Sequence, residues 1–251
     1  MTDSTGPTDL TGRVALLTGA SGGIGRALAT HLAQAGVHVG LAYGSDTGGA
    51  AEAAETAAGA GVRAVSVNAD LTDPDAPGHL VRQVESALGP VDILINNAGL
   101  SVERPWQELG LDDWDRTLAV NLRAPFLLAQ AVLPGMTERG FGRVVFMSSV
   151  AGLTGGVIGP HYAASKSGLH GLVHFYATRV AGHGVTVNAV APARIAGTGM
   201  VPGDPADMAK LPIPVGRFGR TAEVADFTMA VLRNGYLTNQ VLPVDGGAHP
   251  H

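Results

Sequence analysis

The 251-residue chain carries 16 Lys plus Arg against 21 Asp plus Glu, a net charge of −5, with 45% hydrophobic and only 15% charged residues. That balance is too apolar for a disordered chain, and its field opposes nucleic-acid and anionic-membrane partners. The absence of Cys excludes disulfides, thiolate nucleophiles, iron–sulfur clusters and Cys-type zinc sites, and no uninterrupted apolar run reaches the roughly 18 residues of a membrane span.

Residues 1–10 read as a polar, disordered tail without the basic and apolar regions of a signal peptide, so a cytoplasmic protein is expected. From Arg13 onward, short Val/Leu/Ile runs alternate with Ala/Leu-rich helical stretches. Strands are predicted at Val14–Thr18, Val37–Tyr43, Ala64–Asn68, Asp92–Asn96, Arg143–Ser148, Thr186–Ala191 and Gln240–Val244. Helices are predicted to begin near Gly23, Thr47, Pro77, Asp112, Tyr162 and Thr221. This alternation predicts an α/β fold, a doubly wound Rossmann-type parallel sheet of seven strands with helices on both faces, over residues 11–248 as a single domain. The stretch 193–216 has four prolines and no clean periodicity, which suggests a substrate lid.

Gly occurs 36 times, roughly twice the usual ~7% share. Thr18-Gly19-Ala20-Ser21-Gly22-Gly23-Ile24-Gly25 follows the first strand and opens the first helix. A turn of this kind lets backbone amides and a helix N-terminus approach a pyrophosphate; the plainer alternative is a tight turn. Further landmarks follow in order: Asn68-Ala69-Asp70, Asn96-Asn97-Ala98-Gly99, Asn121, Ser149, Tyr162-Ala163-Ala164-Ser165-Lys166, Asn188-Ala189-Val190-Ala191-Pro192 and Asp245-Gly246-Gly247. Together they resemble the short-chain dehydrogenase/reductase family over nearly the whole chain. Ile213–Arg220 adds a general likeness to 3-oxoacyl-carrier-protein reductases and related ketoreductases.

Tyr162 and Lys166 are four residues apart and share one helix face. A free Tyr titrates near pH 10, and a neighbouring cation is expected to lower that value. The resemblance implies that Tyr162 exchanges a proton with the substrate oxygen, and that Lys166 tunes Tyr162 and binds the nicotinamide ribose. It further implies that Ser149 polarises the carbonyl and that Asn121 holds a water in a relay to Lys166. Asn121 has low helix propensity inside a long predicted helix, for which a kink near Pro125 is the duller explanation.

By the same resemblance, the cofactor contacts fall on Gly19, Ser21, Gly23, Ile24, Gly25, Tyr43, Asp70, Leu71, Asn97, Gly99, Tyr162, Lys166, Pro192, Ile195 and Thr198. Asp70 could equally do no more than cap a turn. The second strand ends Leu41-Ala42-Tyr43-Gly44-Ser45, without the acid that binds the ribose 2′-OH in NAD enzymes, so NADP(H) is favoured over NAD(H). The arginine that commonly receives a 2′-phosphate is also missing, its two usual places being Gly22 and Gly44. After Pro192 the chain reads Ala193-Arg194-Ile195-Ala196-Gly197-Thr198, which departs from the family's Pro-Gly-x-Ile-x-Thr and leaves the Thr198 contact open.

Arg104, Trp106, His161 and Arg194 are the candidate substrate residues, and no metal is expected. His170 and His174 share a helix face but lack a third ligand. His249 and His251 read as tail residues. The expected activity is NAD(P)(H)-dependent reduction of a ketone to a secondary alcohol, in a homotetramer; the alternative is a non-catalytic dinucleotide sensor or scaffold on the same fold.

Overall fold

The computed structural model describes residues 7–201 and 213–249. In chain order the elements are β1 Val14–Thr18, α1 Gly23–Gln34, β2 His38–Tyr43, α2 Thr47–Gly59, β3 Ala64–Asn68, α3 Ala76–Leu88 and β4 Ile93–Asn96. There follow α4 Leu111–Leu118, a π-helical turn Ala119–Arg123, α5 Ala124–Glu138, β5 Gly142–Met147, α6 Ala151–Thr154 and α7 Pro160–Val180. A 3₁₀ turn Ala181–His183, β6 Val185–Pro192, β7 Ile195–Ala196, β8 Gly219–Arg220, α8 Thr221–Arg233 and β9 Val241–Val244 complete it.

Seven strands form one parallel sheet in the order β3-β2-β1-β4-β5-β6-β9. The doubly wound Rossmann-type sheet expected from the sequence is therefore present, and every expected strand lies within a residue or two of its predicted bounds. The order reverses between β1 and β4, which opens a crevice at the carboxyl ends of these two strands.

Period-two alternation along the central strands feeds two cores. Leu16, Leu94, Val144, Phe146 and Val187 face α3, α5 and α7, where Leu80, Val84, Leu128 and Val173 are buried. Leu17, Ile93, Ile95 and Val145 face α1, α2 and α8 through Leu28, Leu32, Ala57 and Met229. By length and composition the 28-residue helical run Leu111–Glu138 could cross a membrane. Leu128, Val132 and Met136 of that run are buried in the first core.

Two expected boundaries differ. The tail was expected to extend to residue 10, yet Leu10 is 2% exposed and joins the second core. The Thr8 amide donates to the Arg233 carbonyl at 2.8 Å, so apolar burial and a backbone bond fix the chain before Arg13. Within the expected lid, β7 pairs in parallel with β8, and residues 202–212 lie outside those described. Arg217 grips Glu223 at 2.6 and 2.9 Å where this segment returns to α8, holding the Glu223 carboxyl down at about 2, with the Arg220 amide assisting.

Candidate active site

The glycine-rich turn is locked to the end of β4 before any ligand is considered. Thr18 Oγ1 accepts from the amides of Asn97 and Ala98 at 3.0 Å each, and Asn97 Nδ2 donates to the carbonyls of Thr18 and Gly19 at 3.0 Å. Gly19 has φ +64°, and a Cβ there would stand 2.8 Å from Ala98 Cα. At Gly25 a Cβ would run into the Gly19 carbonyl oxygen. Only glycine permits this bend, which aims the start of α1 at the crevice.

The crevice is a cavity of about 1530 Å³ running from Ala42 and Asp46 at one end to Tyr162, Arg194 and Met200 at the other. Every residue expected at the cofactor lines it. Asp70 both lines the cavity and closes a local turn, accepting from Thr72 Oγ1 at 2.7 Å and Thr72 N at 2.9 Å, which lowers its carboxyl below the ordinary range. The Thr198 hydroxyl donates to the Ile195 carbonyl at 3.0 Å and accepts from the Val201 amide at 3.2 Å, so it braces its own turn.

Ser149, just beyond β5, and Tyr162 and Lys166, on α7, meet on the cavity wall. Lys166 is 4% exposed, its Nζ donates to the Met147 carbonyl at 2.8 Å, and burial pulls its pKa down to about 8. Burial raises the Tyr162 pKa, and the Ser149 hydroxyl bond opposes it more weakly. The direction is opposite to the lowering expected from the neighbouring cation, because desolvation penalises the phenolate more than the Ser149 hydrogen bond favours it. Lys166 Nζ lies 5.6 Å from the Tyr162 ring centroid.

Asn121 does not reach the cavity wall. It is 1% exposed inside the π-helical turn, and its two amide protons go to the Leu100 carbonyl and Ser165 Oγ. The irregularity that accommodates it is a π turn, which runs directly into Pro125 at the start of α5.

Three of the four candidate substrate residues lie off the cavity wall. The Arg104 guanidinium is drawn to Asp113, on α4, at 2.7 Å. Trp106 is 73% exposed on the outside. His161 is fully buried, its Nε2 bonded to the Val102 carbonyl at 3.0 Å, because it faces inward at the first turn of α7. Arg194 does line the cavity.

His249 was set aside as tail but lines the cavity. The Asp245 carboxylate accepts from the amides of Gly247 at 2.9 Å and His249 at 2.8 Å, curling the chain end over Ile213. The Asp-Gly-Gly turn was legible in the sequence, though not the surface it folds onto. His170 and His174 engage Ser148 and Asn239 respectively, and among the described residues no cluster of three metal-ligating side chains occurs.

Residues 13–209 match the short chain dehydrogenase family. The chain belongs to that family. This dehydrogenase is an NAD(P)-dependent oxidoreductase. It is 36% identical over 242 residues to the 3-oxoacyl-(acyl-carrier-protein) reductase FabG of Aquifex aeolicus, covering 95% of this chain and 98% of the relative. It is 34% identical over 244 residues to the acetoacetyl-CoA reductase of Allochromatium vinosum, covering 95% and 99%. Among solved structures it resembles a blue fluorescent protein from a metagenomic library in complex with NADPH, at 35% identity and a TM-score of 0.87, covering 96% of this chain and 99% of the other. The dehydrogenase thus shares both fold and chain length with these relatives.

Proposed function

We propose that the dehydrogenase reduces a ketone to a secondary alcohol with NADPH. The observation that carries this reading is the Tyr162 hydroxyl on the cavity wall beside Ser149, with the Lys166 ammonium 5.6 Å from its ring centroid. When bound along the cavity, the dinucleotide would supply the hydride for the carbonyl carbon. Tyr162 Oη gives its proton to the carbonyl oxygen while the Ser149 hydroxyl donates a hydrogen bond to the same oxygen. Lys166 then favours the transient phenolate as a buried cation and offers further N–H donors to the cofactor ribose. Asn121 serves through its hold on Leu100 and Ser165.

The cradle fits a dinucleotide, because Gly19 and Gly25 let the turn fold tightly on itself and on Ala98, so that Gly22, Gly23 and the start of α1 border the cavity. The preference for NADPH rests on Ala42 at the end of β2 and on Asp46, whose carboxylate is taken up capping α2 through the Gly49 amide at 2.9 Å. Ser21 and Ser45 add hydroxyl groups to the wall there. The carbonyl reductions named for the Aquifex and Allochromatium relatives support the direction of reaction.

Arg194, which lines the same cavity, would select ketones bearing an anionic group. A homotetramer would bury the exposed Phe126 of α5 and Phe175 of α7, together with the half-buried edge strand β9. The test is NADPH consumption with a panel of ketones that pairs acids with their neutral esters. No ketone oxidising NADPH above background would overturn the function, and equal kcat/KM for acid and ester would overturn the role of Arg194. Light scattering at the monomer mass of 25.4 kDa would overturn the tetramer.

A further inference from the structure

His170 stands on α7 one turn beyond Lys166, behind the cavity wall and outside the reading given above. Its Nε2 is 2.8 Å from Ser148 Oγ, and the same hydroxyl donates to the Lys166 carbonyl at 3.2 Å. A serine hydroxyl has one proton. With that proton on the Lys166 carbonyl, His170 must be the donor through Nε2–H. Burial, helped by the neighbouring His174, lowers the His170 pKa and favours the neutral ring.

Ser148 is 3% exposed and is the chain neighbour of Ser149. The corner they share is seated on α7 at further points. A Cβ on Gly152 would stand 2.9 Å from the Lys166 carbonyl carbon and 3.0 Å from His170 Cε1, and Ser167 Oγ donates to the Gly152 carbonyl. The corner from Ser148 to Gly152 therefore rests on residues 166–170 of α7 with no slack. One side of this joint bears Ser149, and the other bears Tyr162 and Lys166.

We propose that His170 is a positioning residue: through Ser148 it seats the corner after β5 on α7, and so holds the Ser149 hydroxyl in register with Tyr162. The proposal rests on the roles given above to Ser149 and Tyr162. Small displacements matter at such a joint, since about 1 Å of misplacement can cost a reaction ~10²-fold.

The experiment compares His170→Leu and His170→Gln, each alone and combined with Ser149→Ala, using NADPH and a ketone that the parent enzyme reduces. Leucine keeps bulk beneath Gly152 but has no donor; glutamine restores an N–H at similar reach. His170→Leu should lower kcat on the order of tenfold, with KM for NADPH unchanged, and His170→Gln should recover most of the loss. In the Ser149→Ala background the leucine variant should cost nothing further. Ser148→Ala should reproduce the loss from the other end of the bond, and it decides the matter if His170→Leu does not fold. Equal losses in both backgrounds, or a glutamine variant as slow as the leucine one, would overturn the proposal. If Ser149→Ala alone retains full turnover, the role of Ser149 fails first, and that control reports it separately.

Discussion

Asn121 grips the backbone of Leu100 from both directions: its Oδ1 accepts from the Leu100 amide at 2.7 Å, and its Nδ2 donates to the Leu100 carbonyl at 3.0 Å. The same Nδ2 donates to Ser165 Oγ at 3.1 Å, and Ser165 donates to the Tyr162 carbonyl at 2.7 Å. One buried carboxamide thus ties the loop after β4 to the first turn of α7.

Removing that carboxamide should cost stability before it costs chemistry. Each buried backbone group left without a partner costs roughly 1–3 kcal/mol, so Asn121→Leu should lose at least that much in urea unfolding. A loss below about 0.5 kcal/mol, the scale of an ordinary surface substitution, would show that Leu100 finds other partners.

Tyr162→Phe should retain cofactor affinity while turnover falls by the roughly 10² to 10⁴ expected of a lost general acid. Fluorescence titration with NADPH and steady-state kinetics on the same preparation separate the two effects. Undiminished turnover would remove Tyr162 from the mechanism.

Lys166 makes the stability of the cofactor-free protein depend on pH. Burial lowers its folded pKa to about 8, against 10.5 for an ordinary lysine. Between these values the unfolded chain binds the extra proton, so stability should rise with pH from about 8 toward 10. The limiting slope is about 1.4 kcal/mol per pH unit. Above this window the raised pKa of Tyr162 acts in the opposite sense, because the unfolded chain then releases its proton first. Thermal melts across pH 7.5 to 9.5 should show the rise in the parent and not in Lys166→Met; parallel profiles would contradict it.

Ala42→Asp should turn the coenzyme preference from NADPH toward NADH. A carboxylate at the end of β2 accepts the ribose 2′-hydroxyl and repels a 2′-phosphate. Ratios of kcat/KM for the two coenzymes in parent and variant provide the check, and a parent that already favours NADH would reject the prediction.

The order of strands and helices was legible in the sequence because each depends on local pattern. Runs such as Val14–Thr18 and Val144–Met147 are apolar on both faces, as a strand between two helical layers must be, and Gly19 and Gly25 mark a bend that tolerates no side chain. Tyr162 and Lys166 could be paired for the same reason, since helical spacing alone puts them on one face. What only the tertiary structure decided concerns groups whose surroundings come from remote parts of the chain. Arg104 looked available until α4 brought Asp113 to it, His161 until the first turn of α7 faced inward, and His249 looked idle until Asp245 curled the chain end onto the cavity. The direction of the Tyr162 shift belongs with these, because spacing supplies only the neighbouring cation, whereas burial, the dominant cause, exists only once the chain has folded around the phenol.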